Sequence, residues 1–176
     1  MEYPLLSNRL SISPLGFEDL DVFVSYRQDP GIAKYQSWDP TYSRAQAMEL
    51  LESQVGVLIP ERDDWLQLGI HELISGELVG DLALHALGQD HSAFELGFTI
   101  ASKHQRKGYA REAAGRLLDY LFKDLGTKSV IAQTDSRNIG SIRTLTSLGF
   151  VKSQTKGWDE DFKNELVPVY FFELIK

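Results

Sequence analysis

From Arg9 to Leu15 apolar and polar positions alternate, Leu10 and Ile12 against Ser11 and Ser13, a period of two that predicts a half-exposed strand closed by Pro14. The period then lengthens. Leu20, Phe23 and Val24 fall at helical spacing beside Glu18, Asp19 and Asp21, whose charges suit the positive end of a helix, and Asp29-Pro30-Gly31 is expected to stop it. Tyr35 to Tyr42 reads as a loop with three aromatics, either a packed surface flap or one wall of a substrate pocket. Ser43-Arg-Ala-Gln46 is a capping box ahead of Ala47, Leu50, Leu51 and Val55, so a second helix follows and ends near Gly56.

From Asp64 the period returns to two. Leu66, Leu68 and Ile70 share a strand face, Ser75-Gly76-Glu77 makes a hairpin turn, and Leu78 to Leu84 runs back with Gly80 as a possible bulge. After a turn at Gly88-Gln-Asp-His91-Ser, the side chains of Phe94, Leu96, Phe98 and Ile100 point one way and those of Glu95, Gly97, Thr99 and Ala101 the other. Then Gln105-Arg-Lys-Gly108-Tyr-Ala110 leads into a stripe of Ala113, Ala114, Leu117, Leu118, Leu121, Phe122 and Leu125, with Glu112 and Arg116 expected as a surface pair and Gly126 as the end. Strand, turn and helix in that order leave free N–H groups at the positive end of the helix dipole, which is an anion cradle. Gly108 removes a side chain where a pyrophosphate would approach. A buried strand, Ser129 to Asp135, follows the helical crossover and so runs parallel to the strand before it. Asn138 caps a short helix with Ile142, Leu145 and Leu148, ended by Gly149. Phe150 to Lys156 and Val167 to Ile175 give the last strands, with Trp158-Asp-Glu-Asp-Phe162 as a loop between them.

Composition narrows the classes. With 176 residues, 43% hydrophobic and 24% charged, the chain fits one globular domain over 1–176 with its own core. A net charge of −7 argues against nucleic acid or an anionic membrane held by bulk charge. The absence of cysteine excludes disulfides, thiolate zinc sites and a cysteine acyl-enzyme. The start, Met1-Glu-Tyr-Pro-Leu-Leu-Ser, lacks a basic segment and a long apolar core, and no apolar run nears the ~20 residues of a membrane span, so the cytoplasm is the expected location.

Glu95-Leu-Gly-Phe-Thr-Ile, then Gln105-Arg-Lys-Gly-Tyr-Ala, a long helix, a strand, and Asn138-Ile-Gly-Ser141-Ile-Arg-Thr-Leu-Thr-Ser-Leu148-Gly-Phe150 together resemble the GNAT superfamily of acyl-CoA-dependent N-acyltransferases. More narrowly they are similar to the RimJ/RimL-like branch. The resemblance runs over nearly the whole chain. It implies a mixed α/β fold with a mostly antiparallel sheet of about seven strands, a parallel, splayed central pair and flanking helices. It also implies acetyl-CoA as co-substrate, its pyrophosphate on the amides of Arg106, Lys107, Gly108, Tyr109 and Ala110 behind Gln105, and its pantetheine along the Phe98, Thr99 and Ile100 backbone. No metal is implied.

Transfer of an acyl group to an amine needs the neutral amine. At pH 7 an α-amine, with pKa ≈ 7.7–8.0, is about 1 unit away (roughly 1.4 kcal/mol), whereas lysine at ≈ 10.4 costs ~4.6 kcal/mol. Glu95, beside the expected thioester, is the candidate base, against an exposed glutamate or one that only attracts a cation. His85 on the neighbouring strand is second, ahead of His71, His91 and His104. Superfamily members often carry a tyrosine seven residues after the asparagine as the acid; here that position is Leu145. Ser141 or Tyr170 is then left to meet the sulfur, or solvent alone suffices, and Asn138 either caps its helix or also bridges to the pantetheine. Direct transfer in a ternary complex is the simplest route, with a backbone N–H near Phe98 or Thr99 on the thioester oxygen. Tyr35, Trp38, His85 and Trp158 are candidate acceptor contacts. The acceptor is a small-molecule amine or a protein N-terminus, the assembly a monomer or homodimer. The alternatives are a silent acyl-CoA sensor or interaction module and a plain nucleotide-binding domain.

Overall fold

The period-two stretches assemble into one sheet because their apolar faces share a single core: Leu10, Ile12, Leu66, Leu68, Ile70, Leu82, Leu84, Phe94 and Leu96 are all buried together. The computed structural model describes residues 2–88 and 90–176, and the turn expected at 88–92 includes Gln89, which lies outside them. The strands are β1 (Leu5–Leu6), β2 (Leu10–Pro14), β3 (Trp65–Glu72), β4 (Leu78–Ala86), β5 (Ala93–Ile100), β6 (Ser129–Asp135), β7 (Val151–Phe162) and β8 (Glu165–Ile175). They lie in the order β1-β2-β3-β4-β5-β6-β8-β7. Beyond the seven expected, the eighth is the two-residue β1 against Ser11 and Ile12. Among the described strands only β5 and β6 pair in parallel, apart from a single bridge between Arg62 and Ala86.

Helices cover both faces. α4 (Tyr109–Tyr120), prolonged as a wider turn through Leu125, and α5 (Ile139–Ser147) pack on the Leu66–Leu68–Ile70 face through Ala113, Leu117, Leu121 and Leu145. α1 (Leu20–Arg27), α2 (Pro30–Ala33) and α3 (Arg44–Ser53) build a second core from Phe23, Tyr26, Ile32, Ala47 and Leu51. That core lies on the opposite face, where Asp81 meets Tyr26 and His71 meets Asp19.

Five local expectations are revised. Asp29-Pro30-Gly31 ends α1 but also starts α2, since Asp29 Oδ1 accepts from Gly31 N at 2.8 Å and proline suits a first helical turn. α3 stops at Ser53, and Val55 is exposed. The bulge is at Val79, between Leu78 opposite His71 and Gly80 opposite Ile70. Glu112 pairs with Arg9, not Arg116, whose Nε donates to the Leu6 carbonyl at 3.0 Å. Trp158-Asp-Glu-Asp-Phe162 is strand, with Trp158 opposite Val169 and Phe162 opposite Glu165. Its acidic residues have low strand propensity, yet β7 is the sheet edge, where charge is favoured because it blocks further pairing.

Gly80 marks a close backbone approach: a Cβ there would lie 2.2 Å from the Thr99 carbonyl oxygen and 3.0 Å from Ile100 Cα. Gly80→Ala must therefore push β4 from β5, and a loss of about 2 kcal/mol is expected. Urea unfolding checks it, as a lower midpoint at unchanged slope.

Candidate active site

The site begins where two strands part. β5 and β6 are joined only through Ala93–Glu95 and Ser129–Ile131, although β5 stays paired with β4 to Ile100 and β6 with β8 to Asp135. A V-shaped gap opens beyond Glu95. Leu87 N donates to the Ala93 carbonyl and Ala101 N to that of Val79, so by alternation the odd-numbered residues of β5 bond to β4, and the N–H and C=O of Phe98 and Ile100 face the gap. Of the two N–H groups considered for the thioester oxygen, that of Phe98 faces the gap and that of Thr99 faces β4. Opposite, Lys176 N donates to the Lys128 carbonyl, so even residues of β6 bond to β8 and Gln133 offers its backbone to the gap.

At the mouth, Gln105 Nε2 donates to the Ile100 carbonyl at 3.1 Å and ties the turn to the strand. Arg106 has φ 61° and Gly108 φ 82°, two left-handed residues that turn successive N–H groups outward. Gln105 N donates to the Ser102 carbonyl, and after it the next N–H with a backbone partner among the described residues is Glu112's, to Gly108 at 3.0 Å. The amides of Lys107 to Ala110 are thus left as donors at the dipole-positive start of α4. Arg9 braces the turn: Nη1 donates to the Lys107 carbonyl at 3.0 Å and Nε to Glu112 Oε2 at 2.7 Å. Burial raises the Glu112 pKa, but hydrogen bonds from Ser7 and Arg9 outweigh it and hold the carboxyl below its usual range. Arg9 neutralises the Glu112 carboxylate beside the cradle. Tyr109 donates to Glu72, while Arg106 and Lys107 stand exposed.

Cross-strand register sets the chemistry of the face turned to α1–α3. Trp65, His85 and Glu95 form one row across β3, β4 and β5, continued by Ile131 of β6. His85 Nδ1 lies 3.4 Å from Glu95 Oε2, and the Trp65 ring stacks on His85 at 4.4 Å between centroids and 9° between planes. The next row, Gln67, Ala83 and Gly97, places small side chains beside Glu95 at the apex of the gap. Beyond it sits a buried polar cluster: Tyr26 donates to Asp81 Oδ1 at 2.6 Å, and Gln67, with its amide turned to suit, donates to Oδ2 at 2.9 Å. Arg27, 5% exposed, lies over Trp38 at 3.8 Å and Phe23 at 4.2 Å, and Trp38 Nε1 donates to the Arg27 carbonyl at 3.1 Å.

The remaining candidates divide. Asn138 Oδ1 accepts from Ser141 N at 3.1 Å, the expected cap, and Ser141 Oγ makes no hydrogen bond among the described residues. Leu145 is fully buried in the α4 core, so an apolar side chain fills the position where the resemblance puts an acid. Tyr170 falls on the opposite face from Glu95, with Lys152 Nζ 3.0 Å from its ring centre. Tyr35 lines a cleft of about 130 Å³ with Gln133, Asp135, Glu160, Phe162 and Val169. Trp38 is engaged by Arg27 beside it, and Trp158 shares the cleft's sheet face without lining it. His104 is buried, and His71 is held by Asp19. Among the described residues, no group of three or more His, Cys, Asp or Glu could hold a metal ion, and no helix is long and apolar enough to cross a membrane.

Trp65, Tyr26, Arg27 and Asp81 are additions that the sequence reading misses. Counting back from the hairpin without the Val79 bulge puts Leu84, not His85, opposite Trp65. One extra residue hides the row.

A splayed parallel pair, an amide cradle after the first strand and a carboxylate at the apex define an acyl-CoA-dependent transferase fold. Residues 9–151 match the family model of the acetyltransferase (GNAT) domain, and the chain belongs to that family, whose members use acetyl-CoA as co-substrate. An uncharacterized N-acetyltransferase of Bacillus licheniformis is 28% identical over 98% of this chain and 96% of its own length. An acetyltransferase of Bacillus anthracis superposes with a TM-score of 0.83 at 22% identity, covering 97% of this chain and 96% of that one. The spermidine N-acetyltransferase of Vibrio cholerae, crystallised with CoA and spermine, gives 0.82 at 21% identity and 96% of each chain.

Burial raises the Asp81 pKa, and the nearby Arg27 charge and the Tyr26 hydrogen bond only partly offset it. The folded chain then binds this proton more tightly than the unfolded one, so the contribution is most favourable below the unfolded value of about 3.9 and declines as pH rises through the raised folded value. Asp81→Asn is expected to flatten that fall in stability. Urea midpoints from pH 4 to 8 test it, and parallel curves for variant and parent would refute it.

Proposed function

We propose that the chain moves an acetyl group from acetyl-CoA directly to a primary amine, with both substrates bound together and Glu95 as proton acceptor. The observation that carries this reading is the position of Glu95, the last residue of β5 paired to β6, whose side chain faces the α1–α3 side beside Ala83 and Gly97. The amides of Lys107 to Ala110 would hold the pyrophosphate, and the Phe98 and Ile100 backbone would hydrogen-bond the pantetheine as a strand neighbour would. The thioester supplies the activated acyl carbon. The Phe98 N–H faces the place where its oxygen gains charge, and such a donor is worth about 3–4 kcal/mol in comparable acyl transfers.

The amine nitrogen attacks that carbon and the carbon–sulfur bond breaks. The nitrogen's proton passes to Glu95, directly or through water, and His85 beside it shares the charge. Trp65 limits the His85 ring to one plane, so that Nδ1 faces the carboxylate. Asn138 orders the turn at the second strand's end, and Ser141 Oγ is free to meet the sulfur. The acceptor would enter by the cleft between Tyr35 and Phe162, whose aromatic walls and Glu160 suit a cationic amine. The spermine held by the Vibrio cholerae fold relative supports an amine acceptor of this kind.

Glu95→Gln keeps the shape and removes the base. It is expected to lower kcat/KM about 10²–10⁴-fold while the acetyl-CoA Kd changes less than about twofold. Thiol release over an amine panel and calorimetry with acetyl-CoA measure the two. Wild-type turnover matched by the variant would remove Glu95, and tight acetyl-CoA binding without turnover for any amine would remove the transferase reading itself.

A further inference from the structure

The β7–β8 hairpin turns on Lys163 and Asn164, with φ of 55° and 63°, and this tight turn carries the Lys163 side chain to the segment that follows α1. There Nζ donates to the Ala33 carbonyl at 2.7 Å and the Trp38 carbonyl at 2.6 Å, and lies 3.3 Å from Asp39 Oδ1. Ala33 is the last residue of α2, at the negative end of the helix dipole, and its carbonyl also accepts from Gln36 N at 3.0 Å, so Lys163 takes its second lone pair. An ammonium has three N–H donors and no acceptor. Its partners here are two carbonyls and a carboxylate, a full set.

The segment it holds is a strap across the open end of the sheet. Ser102 just beyond β5 donates to Asp29 at the strap's start, and Trp38 is pinned to Arg27 by its ring and its N–H. Tyr35, between those anchors, forms one wall of the cleft, while Glu160 and Phe162 on the hairpin form the other. Among the described residues, Lys163 alone hydrogen-bonds or ion-pairs hairpin to strap. The strap is otherwise held to the sheet by Ser102 and Arg27, and the hairpin by β6 and by Arg137 on Glu165, while β7 is an edge strand whose register slips between Lys152 and Gly157. A single side chain therefore bridges the two walls directly.

We propose that Lys163 is a specificity-determining latch: by joining hairpin to strap it fixes the width of the acceptor cleft and so favours slender, unbranched primary amines over bulkier ones. The proposal rests on the reading of that cleft as the acceptor's entry. Lys163 touches neither the apex of the gap nor the amide cradle, so its effect falls on the acceptor.

The test compares wild type, Lys163→Met, which keeps the stem and loses the charge and donors, and Lys163→Arg, which keeps both. Hydrogen–deuterium exchange is followed in peptides covering 30–42 and 158–167. Steady-state kinetics use 1,4-diaminobutane and trialanine as acceptors, and calorimetry gives the acetyl-CoA Kd. For Lys163→Met, exchange in both segments is expected to rise at least fivefold. The kcat/KM ratio of diamine to tripeptide is expected to fall at least fivefold through KM, with the acetyl-CoA Kd within twofold, and Lys163→Arg should recover most of each effect. Unchanged exchange overturns the latch. Raised exchange with an unchanged ratio overturns its role in specificity, and a matching rise in acetyl-CoA Kd shows a general structural defect instead. Absence of wild-type turnover with both amines overturns the reading of the cleft as an entry for slender primary amines and the specificity role with it, a failure visible before any variant is compared.

Discussion

Beyond Glu95 and Ile131 the two parallel strands separate, and the N–H and C=O groups they leave without a strand neighbour are the constraint to which the rest of the fold answers. A buried backbone group left unpaired costs about 1–3 kcal/mol. The V stays open because each arm is held from outside, β5 by β4 along its length and β6 by β8. Among the described residues nothing hydrogen-bonds the gap-facing backbone groups of Phe98 and Gln133, and a ligand with peptide-like donors and acceptors would satisfy them. Pantetheine, with two amides on a narrow chain, is a ligand of that kind. The proposed binding of acyl-CoA is therefore rooted in strand pairing rather than in any one side chain.

The two faces of the sheet at that gap do different work. On the α4 face the side chains are apolar and fully buried, Leu82, Leu84, Phe94 and Leu96 against Ala113, Ala114 and Leu117, so this side gives stiffness and a fixed origin for the helix whose start is the anion cradle. On the α1–α3 face the same strands carry Glu95, His85, Gln67 and Asp81. A carboxylate as buried as Asp81 survives because Tyr26 and Gln67 each donate to one of its oxygens and the Arg27 charge is nearby. That cluster fixes α1 to β4, and through Arg27 and Trp38 it fixes the strap beside the cleft lined by Tyr35 and Phe162.

Much of this was legible in the sequence, and the reasons for the remainder are local. Gln105 to Ala110, the crossover helix and the Asn138 cap are signals within a few residues of each other, and a single chain direction suffices to order them. The splay itself has no sequence mark; it follows once the strand after the helix is known to be parallel. What escaped is long-range register. The Val79 bulge moves His85 opposite Trp65, and no composition rule announces a bulge one residue before a glycine that itself is needed for close approach. The acidic run Trp158 to Phe162 looked like loop because strand propensity reflects half-buried surroundings, whereas this edge strand is exposed on its outer side. The Lys163 contact joins residues more than a hundred positions apart, and its partners are carbonyls, which every residue has.

The buried Leu145 raises the question of which end of an acyl transfer most needs a residue, and magnitudes decide it. A departing alkyl thiolate, near the ≈ 8.5 of a cysteine thiol, is about 1.5 units above neutral pH, so leaving without a proton donor costs roughly 2 kcal/mol. An aliphatic amine near ≈ 10.4 needs ~4.6 kcal/mol to reach its reactive form at pH 7, and its proton must be removed as the new bond forms. The greater demand lies on the amine side. There the sheet places a carboxylate, an imidazole 3.4 Å away and an indole stacked on that imidazole, all in one row. On the side where the proposed reading puts the sulfur, it leaves the Ser141 hydroxyl without a partner among the described residues and a leucine in the core. The asymmetry matches the energetics of amine acylation under the proposed reading, and the demand on the row at Glu95 grows with the basicity of the amine.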